Sequence, residues 1–163
     1  MSEAHVVPHQ PLPVPRTGDE KAMLTAFLDR YRETIIWKLQ GLSKEEASRQ
    51  LVPSATTLLG VVKHLAFVER GWFQADVAGE VIEQTENDFV IEPSDSMDSI
   101  LQLYQDEIAK SRAIVARTSL DDLSHEAVPH SLRWILIHMI EETARHAGHA
   151  DILRELTDGA VGY

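Results

Sequence analysis

Glu142, His146 and His149 recur at spacings of four and three in the stretch LRWILIHMIEETARHAGHADILREL. The same 4-3-4-3-4 register takes in Ile135, Met139 and Leu153, the spacing of a helical stripe that faces a partner helix. Three consecutive members of an otherwise apolar stripe can therefore carry charge or a lone pair. Burying such groups without partners costs several kcal/mol, so either the helix turns them to water or something binds them. A second apolar row opposes the turn outward: Leu136, Ile140, Thr143, Ala147 and Ala150 lie beside the first, and both rows fit one inner face. Arg133, Glu141, Arg145, Asp151 and Glu155 form the exposed side. Glu142 and His146 stand one turn, roughly 6 Å, apart on one face. A carboxylate and an imidazole at that separation can grip one divalent metal ion, with His149 and His138 flanking them.

A third ligand is available in LLGVVKHLAFVERGWF, where His64 stands three residues after Val61 and four before Val68, on or beside an apolar seam. Helical bundles commonly assemble metal sites from facing helices. Three protein ligands, His64, Glu142 and His146, leave a position for water or substrate, as catalytic sites do. The blander alternatives are a hydrogen-bonded core histidine at 64 and an exposed Glu142–His146 helix pair worth a few tenths of a kcal/mol. The joint pattern favours the metal. His149 is then a candidate to orient a ligand or shuttle a proton. His5 and His9 fall in a proline-rich arm and His125 and His130 in a connection; all four read as solvated, with His130 a candidate for the pocket rim. Trp37, Trp72 and Trp134 read as packing at bundle ends. Glu69 and Arg70 form either a solvated pair or polar groups near a bundle end, and their spacing does not decide.

The elements that position these residues follow from hydrophobic periodicity. Residues 1–17 contain four of the seven prolines and read as an extended arm. From Asp19 to Gly41, Met23, Phe27, Tyr31, Ile35 and Leu39 recur every fourth residue. Ser43 with Glu46 predicts a capping box for a short helix over 44–50. A second long helix is predicted from Thr56 or Thr57 to about Ala78, with Leu58, Val61, Leu65, Val68 and Trp72 as its seam. A third is predicted from about 96 to 117 and a fourth over about 132–157. The acidic stretch 80–94 reads as a connection despite a β-like run at Phe89–Ile91. The expectation is an all-α four-helix bundle over 18–163, with connections long enough for a crossover.

Composition narrows the function. The 163 residues hold 44% hydrophobic side chains, enough for a full core, and a net charge of −11. That charge disfavours nucleic acid and anionic lipid as partners. No cysteine is present, which excludes disulfides, thiolate-ligated metals and a cysteine nucleophile; sulfur chemistry would need a thiol from outside. MSEAHVVPHQ lacks the features of a secretory signal and no apolar run approaches the roughly 20 residues of a membrane span, so the expected location is the cytoplasm. A small-molecule substrate is the expected partner. A homodimer through the apolar side of the first helix is open.

The stretches SATTLLGVVKHLAFVERGWF and LRWILIHMIEETARHAGHADILREL resemble the DinB-like superfamily, and the resemblance covers about residues 20–160. That superfamily includes mycothiol-dependent maleylpyruvate isomerases and bacillithiol transferases. The resemblance implies a four-helix bundle holding a divalent metal, often zinc or nickel, through a histidine on the second helix and a His-x-x-x-His on the fourth, just before a glycine. Gly148 sets that register: the second histidine falls on His146, and the first on Glu142. The His/Glu/His form is a feature of the mycothiol-dependent isomerase branch, and a carboxylate suits softer metals less well. His149 and His138 remain rival ligands. The implied activity is a metal-dependent S-transferase or isomerase joining a low-molecular-weight thiol such as mycothiol to a small electrophile. The alternatives are a metal-dependent hydrolase and a non-catalytic, stress-associated ligand-binding bundle.

Overall fold

A computed structural model describes residues 9–83, 85 and 87–161. Helix α1 spans Glu20–Trp37, α2 Lys44–Ala47, α3 Leu58–Glu69, α4 Met97–Arg117 and α5 Leu132–Asp158. A π-helical segment, Arg70–Val77, continues α3. The protein is thus all-α, with four long helical rods and one short helix among the described residues. The rods begin where a side chain can cap them. Asp19, Ser43, Thr57, Ser96 and Ser131 each accept a hydrogen bond from the amide three residues on, satisfying donors that the first turn leaves free. Helix α5 stops where Gly159 takes φ 77°, a left-handed conformation that glycine adopts without strain. Helix α2 is shorter than the predicted 44–50. No helix among the described residues is long and apolar enough to cross a membrane.

Side-chain pairings fix the rod directions. Arg133 bonds Glu20 and Arg154 bonds the Lys38 carbonyl, so α1 and α5 run parallel. Lys63 meets Asp95 and Arg70 meets Glu107, so α3 and α4 also run parallel. Lys21 bonds the Thr118 carbonyl and Asp29 bonds Arg112, which makes α1 and α4 antiparallel. His64 faces Glu142 and Trp72 faces Trp134, which makes α3 and α5 antiparallel. The order is up, down, down, up. Two consecutive parallel rods require a connection that returns the length of the first, and this return leg crosses α3. Its Val90 carbonyl accepts a bond from Lys63.

Apolar packing forms two clusters. One gathers Ile35, Leu58, Val61, Leu65, Ile100 and Tyr104; the other gathers Leu28, Phe73, Ile114, Ile135, Leu136 and Met139. Between them along the rods lies a buried polar layer. Arg32, 3% exposed, donates from Nε and one terminal nitrogen to both oxygens of Glu69, 1% exposed. Glu107 is equally buried and accepts from Arg70, Lys110 and Gln74. The open question about Glu69 and Arg70 is thereby decided: neither belongs to a solvated pair. Trp72 departs from its predicted seam position. The buried row runs from Leu65 through Glu69, Phe73 and Val77, leaving Val68 and Trp72 half-buried beside it. The π segment's wider turn keeps every fourth residue nearly in line.

The described part of the arm lies against α1, with the Leu12 carbonyl accepting from Arg30. His5 lies outside the described residues. His9 departs from the solvated reading: its ring stacks on Trp37, centroids 4.4 Å apart, and its buried Nε2 has no hydrogen-bond partner among the described residues.

Candidate metal centre

His64 on α3 and Glu142 and His146 on α5 meet in the seam between these antiparallel rods. The Glu142 Oε1 atom lies 3.1 Å from His146 Nε2 and 3.5 Å from His64 Nε2. One donor atom from each residue falls within 4.8 Å of the other two. Nitrogen and oxygen donors at zinc-bond lengths around a tetrahedral ion stand about 3.4 Å apart, so the donor set and its spacing fit a divalent cation. His146 is 7% exposed. Its Nδ1 is buried and has no hydrogen-bond partner among the described residues.

Surrounding groups orient two of the three ligands. The Asp88 carboxylate lies 2.7 Å from His64 Nδ1. A carboxylate can only accept, so the His64 Nδ1–H donates to Asp88, which would leave Nε2, facing Glu142, as the nitrogen available to ligate a cation. The Phe89 ring stacks on His64 at 4.1 Å with planes 17° apart, and stands 5.9 Å from His146. Arg145 holds the second Glu142 oxygen at 3.3 Å and bonds Glu141 at 2.5 Å. Asp88 was not among the residues singled out in the sequence, and Phe89 was noted only as the start of a β-like run. The one signal available was an aromatic and acidic run inside a stretch read as a plain connection.

Electrostatics suit a cation at neutral pH. Burial pushes the His146 pKa below its ordinary 6.5, with nearby His64 adding and Glu142 opposing. Burial also acts to raise the Glu142 pKa, but His146, His64 and Arg145 outweigh it and the net shift is downward from 4.5. A group whose folded pKa is depressed contributes stability above its unfolded pKa and loses it as pH falls through the folded value. Acidification therefore destabilises the metal-free protein first in the His146 window below 6.5 and then in the Glu142 window below 4.5. Urea denaturation at about pH 5 is expected to show a lower midpoint than at about pH 7. His146→Gln is expected to shrink that difference; an unchanged difference would show that His146 takes no part. His9, also lowered by burial, acts in the same window and remains as background in both proteins.

The other histidines fall elsewhere. His149 sits next to the trio but outside it: its ring is exposed and stands edge-on to His146, centroids 5.3 Å apart. It lines a cavity of about 360 Å³ with Val52, Ser54, Thr56, Ile152 and Leu153. His138 is drawn into an aromatic cluster 4.6 Å from Trp72 and 5.2 Å from Trp134, with Glu141 at 3.8 Å. His130 is not free in solvent; it stacks on Trp134 at 4.0 Å and meets Glu126 at 3.3 Å. Trp72 and Trp134 thus pack against each other and against histidines. His125 is exposed, its ring lying over Gly79.

The family model for mycothiol-S-transferase matches residues 23–159. A comparison with curated protein sequences finds no match. Among solved structures, the chain is similar to a conserved protein from Enterococcus faecalis, with a TM-score of 0.65 and 16% identity over 88% of this chain and 99% of that one. At that identity the likeness shows the fold. The family match takes in both helices that carry the trio, so this DinB-like bundle belongs to the mycothiol-S-transferase family.

Proposed function

We propose that this chain is a metal-dependent S-transferase that joins a mycothiol-type thiol to a small electrophile, with His64, Glu142 and His146 holding zinc or nickel. The observation that carries the reading is the convergence of two imidazole nitrogens and a carboxylate oxygen within 4.8 Å, in a chain matched to mycothiol-S-transferase. A divalent cation bound there would lower the pKa of a thiol docked at an open position, supplying thiolate at neutral pH. The absence of cysteine fits a thiol supplied from outside.

The remaining chemistry belongs to the chain's own residues. His64 and His146 contribute neutral nitrogens and Glu142 the single negative charge. Asp88 and Arg145 hold His64 and Glu142 in orientation. His149, on the cavity rim beside His146, would accept the thiol proton on an imidazole nitrogen as the thiolate forms; the sulfur then attacks the electrophilic carbon and the electrophile's leaving group, chloride in chlorodinitrobenzene, departs. Val52, Ile152 and Leu153 offer apolar surface to an uncharged electrophile.

The test supplies the metal-loaded protein with mycothiol and chlorodinitrobenzene, following thiol consumption and the thioether product. Turnover is expected to require both metal and thiol, and His149→Ala is expected to lower kcat by about 10²-fold. Hydrolysis without thiol consumption would favour the hydrolase reading. Binding without turnover would favour a ligand-binding bundle.

A further inference from the structure

We infer that Asp88 is a positioning residue of the cation site, delivered by a return leg that the sequence seats on Gly60. The inference rests on the metal reading above. Glycine is a poor choice for a helix, yet Gly60 lies in the first turn of α3 and is buried. A Cβ there would lie 2.5 Å from the Phe89 carbonyl oxygen and 2.9 Å from Thr57 Oγ1. The first of these atoms is backbone and cannot swing aside. Only glycine lets residues 87–91 approach α3 this closely.

That approach is fastened on the other side. Lys63 Nζ donates to the Val90 carbonyl at 2.7 Å and to Asp95 at 2.8 Å, and Asp95 also accepts from the Glu92 amide at 2.8 Å. The leg is therefore anchored without Asp88. What Asp88 adds is specific to His64: a carboxylate 2.7 Å from Nδ1 that sets the ring's proton and its rotation. Phe89, next in sequence, stacks on the same ring. Two adjacent residues thus grip one imidazole from its edge and its face. A carboxylate behind a metal-binding histidine raises ligand basicity and fixes the tautomer, and its loss typically weakens metal affinity 10–100-fold.

The experiment uses the full chain and zinc alone, with dissociation constants from chelator competition and amide exchange of residues 87–91 in the metal-free state. Wild type is expected to take up one equivalent. Asp88→Ala is expected to weaken zinc binding roughly 10–100-fold. Asp88→Asn is expected to fall between the two, because its amide oxygen still accepts from Nδ1–H. Gly60→Ala leaves all three ligands intact, yet it is expected to weaken binding similarly and to speed exchange at 87–91. An isolated Gly→Ala change in a helix would instead raise the melting temperature. If Asp88→Ala lowers the melting temperature of the metal-free protein but leaves zinc affinity unchanged, Asp88 only docks the leg and the inference falls while the metal reading stands. If wild type takes up no zinc, the metal reading itself fails.

Discussion

His146→Ala is expected to weaken zinc or nickel binding by at least about a hundredfold. Loss of a group that merely orients a ligand already costs 10–100-fold, and His146 supplies one of three donor atoms. It is also the most buried of the three, so water cannot replace it without entering the seam. At a free ion concentration about 100 times the dissociation constant, binding stabilises the folded state by about 2.7 kcal/mol. For a chain of this size that raises the melting temperature by roughly 5–10 °C. Wild type is expected to show the shift and His146→Ala to show about 1 °C or less at the same ion concentration. In the metal-free variant the Nε2 contact to Glu142 at 3.1 Å is lost, while Nδ1 has no partner to lose among the described residues. Stoichiometric metal retained in His146→Ala would mean that His149 or His138 completes the site instead, and the ligand assignment would be wrong.

Breaking the Arg32–Glu69 pair is expected to produce the largest loss of stability. The two side chains are 3% and 1% exposed, and both Glu69 oxygens take bonds from Arg32, at 2.7 and 2.6 Å. Burial disfavours the charged guanidinium, but Glu69 outweighs it and raises the Arg32 pKa. Removing Arg32 would strand the buried Glu69 carboxylate, and removing Glu69 would leave the guanidinium with Asp29 alone, at 2.8 Å; breaking a buried pair costs about 3–5 kcal/mol. Glu69→Gln is therefore expected to lower the melting temperature by roughly 10 °C. The double variant Arg32→Met/Glu69→Leu is expected to recover much of that loss, since no charge is left unpaired. A double variant as unstable as the sum of the single ones would show that the layer acts through packing alone. Neither residue belongs to the candidate metal centre, so zinc affinity is expected to stay near the wild-type value in variants that fold.

Several features were legible in the sequence for a local reason. Residues four apart on a helix share a face whatever the rest of the chain does. Glu142 and His146 could therefore be paired from spacing alone, and the capping box at Ser43 could be read as a helix start. The apolar rows of the last helix also lie where their periodicity puts them, with Ile135, Leu136, Met139, Thr143, Ala147 and Ala150 all buried. His149 shares that register but is exposed. Helix α3 begins only at Leu58, so the residues facing α5 at that level are Val52, Ser54 and Thr56 of a connection, which leave a cavity rather than a packed seam. Periodicity describes one helix; it cannot show where a neighbouring helix ends.

The chain's own order of residues determined the four rods, their apolar faces, and a carboxylate and an imidazole one turn apart. Each of these depends on interactions within a few residues along the backbone. Tertiary structure alone decided that α3 and α5 run antiparallel with His64 level with Glu142, that Arg32 finds Glu69 across the core, and that Asp88 closes on His64 from 24 residues away. Those pairings depend on rod directions and on the path of the return leg. That path is set by the close packing of whole elements, which no local spacing encodes.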